Sequence, residues 1–310
     1  MSIKYDCSVV VCNYNPDWEK LRLTLKSIIM QEKCSIQIIV TDDGSENNLF
    51  ANIKFFFQKN NFAEYKLISS ENNMGTVHNI LQGLYYCDAD LVKPISPGDM
   101  LHGRECLQQW VYFMRKQSNY VMSYCDAIYY SWCDRQIVPL KMRTNPQSRN
   151  PTAKEYIVYR DLCLGASAMV RRQKWVKYLE KIQGKVIYAE DYSYQLMIYS
   201  GEKLINIPKT LLLYEYGTGI STCRDDVWNE KLLNDTNEMN RILLSNTPGL
   251  DNKATDIKKY LRIQYLKGWK YRILRVVFYP SKILFRLKWL LFPRTTSRDL
   301  DQKFVADLLE

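Results

Sequence analysis

Three aspartates stand within twelve positions of the stretch CDADLVKPISPGDML (87–101): Asp88, Asp90 and Asp99. Carboxylate oxygens are the ligands that Mg2+ and Mn2+ take. A second acidic pair, Glu190 and Asp191, opens a patterned segment further on. A positioned carboxylate there could remove a proton from a hydroxyl group. Four polar clusters complete the inventory: NYNP (13–16), DDGS (42–45), SENNMGTVHN (70–79) and SPGD (96–99). Each alone is ordinary, because Asn, Asp, Gly and Ser are what turns are made of, and acidic residues in a first turn suit the helix dipole.

The elements around the clusters give them a common place. CSVVVC (7–12), IQIIVT (36–41), YKLIS (65–69) and LVKPI (91–95) have strand length and composition. Between the first two, Asn15 and Pro16 read as an N-cap and first turn, with Leu21, Leu25, Ile28 and Ile29 on one helical face. Further helices are expected over 46–58 and 76–86. Strands separated by helices predict parallel pairing with right-handed crossovers, an open α/β sheet. Ligands of such sheets bind beyond the carboxyl ends of the strands, where all four clusters fall. The middle of the chain reads as a helix (103–117), a strand or hairpin (120–130), an Arg-, Asn- and Pro-rich loop (134–152), a buried strand (163–170) and a helix to about residue 183. Another helix begins at Glu190 or Asp191.

In this order the pieces SVVVCNYN, TDDGS, NNMGTVHN, SPGDML, AEDYSYQLM and YEYGTGIST resemble the family 2 glycosyltransferases, in particular bacterial members that build surface polysaccharides of the O-antigen or capsule type. The resemblance covers residues 8 to about 222. It implies a GT-A fold: a mixed, mostly parallel sheet with a Rossmann-like N-terminal half, here residues 1–100, an acceptor half over 101–222, and a C-terminal helical extension over 223–310. It implies a UDP-sugar donor, with Cys12 and Tyr14 lining the uracil and Asp43 accepting from its ring N–H. Asn73, Gly75 and His78 would lie by the diphosphate, with Ser96 lining the donor site and Ser221 in a loop that closes over it. Asp191 would be the general base of an inverting transfer, and Glu190 a secondary candidate. One base suffices for inversion, with no need for the paired carboxylates of a glycoside hydrolase.

The metal site departs from the family. Many members carry Asp-x-Asp-Asp at the end of the fourth strand, where this chain reads Ser96-Pro97-Gly98-Asp99. Asp88 and Asp90 precede that strand. Five residues at about 3.3 Å each place them roughly 15 Å from the nucleotide edge. Asp99 is thus the expected ligand from this segment for Mg2+ or Mn2+. Two other readings stand beside the enzyme: a glycosyltransferase-like protein that has lost catalysis, and a nucleotidyltransferase on a related fold. The second expects a glycine-rich basic loop after the first strand, and NYNPDWEK is not one.

The formal charge of +10 is concentrated. Residues 257–298 hold twelve Lys/Arg and no Asp or Glu, leaving the other 268 residues near −2. Apolar residues recur there at helical spacing, with Trp269, Trp289 and several tyrosines, and Pro280 divides the segment. A cationic, aromatic, amphipathic helix predicts an anionic membrane surface as partner rather than nucleic acid. The family reading adds a lipid-diphosphate-linked saccharide acceptor. No secretory start and no run of about 18 apolar residues occurs. The expected location is therefore cytoplasmic, peripheral on the inner face of the cytoplasmic membrane. Nine cysteines without a Cys-x-x-Cys pair read as buried thiols rather than a zinc site.

Overall fold

The computed structural model describes residues 5–131, 165–215, 226–245, 269–278 and 301–309, with single positions at 151, 163, 280, 284 and 287. The first half alternates β1 (Cys7–Asn13), α1 (Trp18–Ile29), β2 (Ile36–Asp42), α2 (Phe50–Lys59), β3 (Tyr65–Ser69), α3 (Thr76–Tyr85) and β4 (Leu91–Ile95). The strands lie within a residue of the expected ones. Helix α1 starts later than expected: its cap is Asp17, whose side chain accepts the Lys20 amide at 3.0 Å. Asn15 instead takes a positive φ of 44° and bonds across to Ser45 and Glu46, so it belongs to the loop pair rather than the helix.

The second half runs β5 (Met100–Leu101), α4 (Cys106–Lys116), β6 (Met122–Tyr130), β7 (Ala168–Arg171), α5 (Arg172–Ile182), α6 (Tyr192–Tyr199) and β8 (Leu204–Glu215). Helices α7 (Asp226–Ser245), α8 (Trp269–Phe278) and α9 (Gln302–Leu309) follow. One eight-stranded sheet has the order β3-β2-β1-β4-β7-β6-β8-β5. Pairing is parallel from β3 to β4 and between β6 and β8, and antiparallel where β7 meets β4 and β6 and where β5 meets β8. This is the mixed, mostly parallel α/β sheet expected.

Side chains of β1 alternate between two cores, as a period of two requires. Val10 packs with α3, α5 and α6 on one face; Val9 and Val11 pack with α1, α2 and α4 on the other. The boundary expected at residue 222 lies outside the described residues. Beyond it, α7 adds Met239, Ile242 and Leu243 to the first core. Helix α9 buries Phe304, Val305 and Leu308 against Leu23, Met100, Ile128 and Leu213.

Candidate active site

β1, β2 and β4 run parallel, so their carboxyl ends share one edge. There a cavity of about 670 Å3 opens, lined by Cys12, Tyr14, Asp43, Ser96 and Asp99 from the first half of the sheet. Glu190 and Asp191 line it from the second half. Asp88 and Asp90 fall at the opposite edge: Asp88 accepts from Gln37 and Lys66, and Asp90 pairs with Arg171 at 2.7 Å.

The two aspartates of DDGS do different work. Asp42 closes the turn, accepting the Ser45 amide at 2.9 Å. Asp43 faces the cavity while its carboxylate receives the Met74 and Gly75 amides at 3.0 and 2.7 Å. Burial raises the Asp43 pKa and these two amides act against that rise. Each carboxylate oxygen has a further lone pair for a ligand donor. Tyr14 is half exposed, with a ring face available to a base. The Cys12 thiol is pushed up to about 12 by burial, so it is wall rather than nucleophile.

Asn73, Gly75 and His78 do not line the cavity. Asn73 accepts the Gly75 amide at 3.1 Å. Gly75, at φ 89°, is the close-approach glycine expected, but what approaches is the protein's own chain: an added Cβ would meet the Ile187 carbonyl oxygen at 2.6 Å. His78 stands near Asp43, and its buried Nδ1 finds no partner among the described residues. Ser221 and the rest of 216–225 lie outside the described residues.

Asp191 is the N-cap of α6, yet its side chain makes no capping hydrogen bond. Glu190 turns its carboxyl end against Gly165, where an added Cβ would come within 2.7 Å of Oε1. Burial, then the charge of Asp191, pushes the Glu190 pKa up to about 8. The segment before the pair is fixed from α7: Asp235 accepts the amides of Ile187, Tyr188 and Ala189 at 2.9, 2.6 and 2.9 Å. Trp228 and Leu232 of the same helix join the cavity wall, with Trp228 edge-on to Tyr188 at 5.1 Å. Sequence patterns could not reveal these residues, since Asp235 carries no local motif and lies 44 positions beyond Asp191.

Asp99 is buried, its Oδ1 accepting the Glu215 amide at 2.9 Å, and burial pushes it up to about 7. Glu215 was not among the expected site residues. It ends β8, lines the cavity and pairs with Lys20 at 2.5 Å. A Cβ built on Gly98 would overlap the Glu215 carboxylate, so that carboxylate fills the space of a side chain at position 98. Among the described residues no group of three His, Cys, Asp or Glu gathers to hold a metal. Two carboxylates at the cavity wall nevertheless fit Mg2+ or Mn2+, which commonly take one or two carboxylates and complete their shells with substrate phosphate and water.

A family model described as glycosyl transferase family 2 matches residues 8–179. No protein of curated function matches the sequence. Among solved structures, S. aureus TarS 1-349 in complex with UDP-GlcNAc superposes with a TM-score of 0.58 at 16% identity, covering 91% of this chain and 75% of that one. The mannosyltransferase PcManGT from Pyrobaculum calidifontis, in complex with GDP-Man and Mn2+, gives 0.57 at 11%, covering 93% and 85%. For S. aureus TarS itself the values are 0.54 at 15%, and the chain spans 42% of its length. At such identities the likeness is one of fold.

Proposed function

The chain belongs to the family 2 glycosyltransferases, and from that membership we propose that it moves a sugar from a UDP-sugar to a lipid-diphosphate-linked saccharide, with inversion, in bacterial surface polysaccharide synthesis. One observation carries the reading: a single cavity gathers Tyr14 and Asp43 from the nucleotide half with Glu190 and Asp191 from the acceptor half. Tyr14 offers a face for uracil and Asp43 an acceptor for its ring N–H. The complex of TarS with UDP-GlcNAc supports a UDP-sugar as donor.

Asp191 takes the proton of the acceptor hydroxyl as that oxygen attacks the sugar C1, and the nucleoside diphosphate leaves from the opposite face. Burial and the neighbouring Asp191 charge push the Glu190 pKa up to about 8, which favours Asp191 over Glu190 as the base. Tyr188 and Trp228 give the acceptor side the aromatic lining usual in small-molecule pockets. Asp99 is the residue that would hold Mg2+ or Mn2+ beside the donor diphosphate, and the ion would supply charge neutralisation for the leaving group; the Mn2+ in the PcManGT complex supports this reading.

The protein works at the inner face of the cytoplasmic membrane, docked through 257–298. In support, Trp269, Ile273, Val276, Val277, Leu284 and Leu287 recur at helical spacing and are exposed, beside Lys270. Pro280 itself is helical, with its immediate neighbours outside the described residues. No helix among the described residues is long and apolar enough to cross a membrane. The deciding experiment is release of UDP from a panel of UDP-sugars, with and without lipid-linked acceptor. No release from any donor would leave the noncatalytic binding reading in its place.

A further inference from the structure

The chain lacks an acid at position 98, and Glu215 brings one to the same place from β8, 117 positions downstream. Three contacts hold it there. Its backbone amide is tied to Asp99, its carboxylate lies against Gly98, and Lys20 from α1 pairs with its Oε1 at 2.5 Å. The Lys20 and Glu215 side chains are 17% and 7% exposed, so the pair sits largely out of water while both members line the cavity.

A carboxylate this buried is costly to leave unpaired. Its partner is an ammonium on a flexible four-carbon stem, a point charge that can swing away without disturbing the backbone. Oxygen ligands at a cavity wall prefer a divalent cation to a monovalent one by simple charge, and an exchange of one for the other never leaves Glu215 without a counter-charge.

We propose that Glu215 is the second carboxylate ligand of the divalent cation, and that Lys20 is its place-holder, displaced from Glu215 when the cation arrives with the donor. No proton moves in the exchange: the ammonium leaves Glu215 still charged, the cation binds the vacated oxygen, and Lys20 turns toward the donor diphosphate. Gly98 is then a requirement of the arrangement, because any side chain there would expel Glu215. The proposal rests on the UDP-sugar reading given above.

The test is Mn2+ titration of the full chain, followed by the electron paramagnetic resonance of free Mn2+, with UDP present and absent. UDP binding is measured separately without metal. Glu215→Gln is expected to weaken Mn2+ binding in the UDP complex at least tenfold, since even an outer partner of a ligand is worth about 10- to 100-fold. Metal-free UDP binding should stay within about twofold by the same reasoning, as the ring contacts are untouched. Lys20→Met, which removes the competitor, should bind Mn2+ more tightly than the wild type when UDP is absent. Unchanged Mn2+ affinity in Glu215→Gln, or weakened Mn2+ binding without UDP in Lys20→Met, overturns the proposal. If Glu215→Gln does not fold, the Lys20→Met titration alone decides it. A wild type that binds UDP but no Mn2+ overturns the exchange and leaves the donor reading standing. A wild type that binds neither UDP nor UDP-sugars overturns both.

Discussion

The carboxylate of Asp235 accepts the amide of Tyr188 at 2.6 Å, which ties a helix beyond the family match to the chain just ahead of the proposed base. Two further amides, of Ile187 and Ala189, complete the clasp. A buried carboxylate satisfied by three N–H groups is an anchor whose loss leaves all three without a partner. Asp235→Ala is therefore expected to lower stability by about 3 kcal/mol, as breaking a buried charged hydrogen-bond set does. Asp235→Asn keeps one acceptor oxygen and should lose less. Chemical denaturation measures the first effect. In the Asn variant, turnover should fall more than UDP affinity, because the clasp fixes residues 187–189 and not the base-binding wall.

Asp191→Asn keeps shape and removes the proton acceptor. Transfer should fall by about 10²- to 10⁴-fold, the usual worth of a positioned base, with UDP affinity retained. Near-normal turnover in this variant would sink the assignment of Asp191.

Glu190 makes a prediction about pH. Its folded pKa, about 8, stands above the unfolded value of 4.5, so between these limits the folded state binds more protons than the unfolded. Stability from this group is fully present below about pH 4.5 and is lost as pH rises toward and through 8. Thermal melts of the wild type and Glu190→Gln across that range should show the wild type losing ground to the variant as pH increases. Parallel curves would contradict the buried, protonated Glu190.

Membrane docking through α8 is tested best by substitution. Deleting everything after residue 250 would also remove α9, whose Phe304, Val305 and Leu308 belong to a core, and would confound release with unfolding. Ile273→Asp with Val277→Asp places two charges on an exposed apolar face and touches no core. Binding to phosphatidylserine vesicles is expected to fall more than tenfold, with the melting temperature unchanged. Undiminished vesicle binding would rule out docking by this face.

Much of the first half of the sheet was legible because its information is local. β1 to β4 and their helices announce themselves by period and by turn residues within a few positions, and the parallel order follows from the crossovers. Position along β4 also sufficed to separate Asp99 from Asp88 and Asp90. The roles of Gly75 and Asn15 were less legible. A glycine's freedom is visible in a sequence, but the chain that presses on it is not: at Gly75 it is Ile187, 112 positions away. Asn15 looked like a helix cap because caps and cross-loop bonds use the same side chain.

By itself the sequence determined the α/β sheet, the edge at which the cavity opens, and the carboxylates offered there by each local motif. Those depend on hydrophobic period and strand direction, which neighbouring residues encode. Only the tertiary structure decided what surrounds each carboxylate: Asp235 behind the Glu190–Asp191 segment, Lys20 on Glu215, and Glu215 in the space beside Gly98. Burial and charge pairing are properties of chain segments brought together from far apart, and no spacing within one segment contains them.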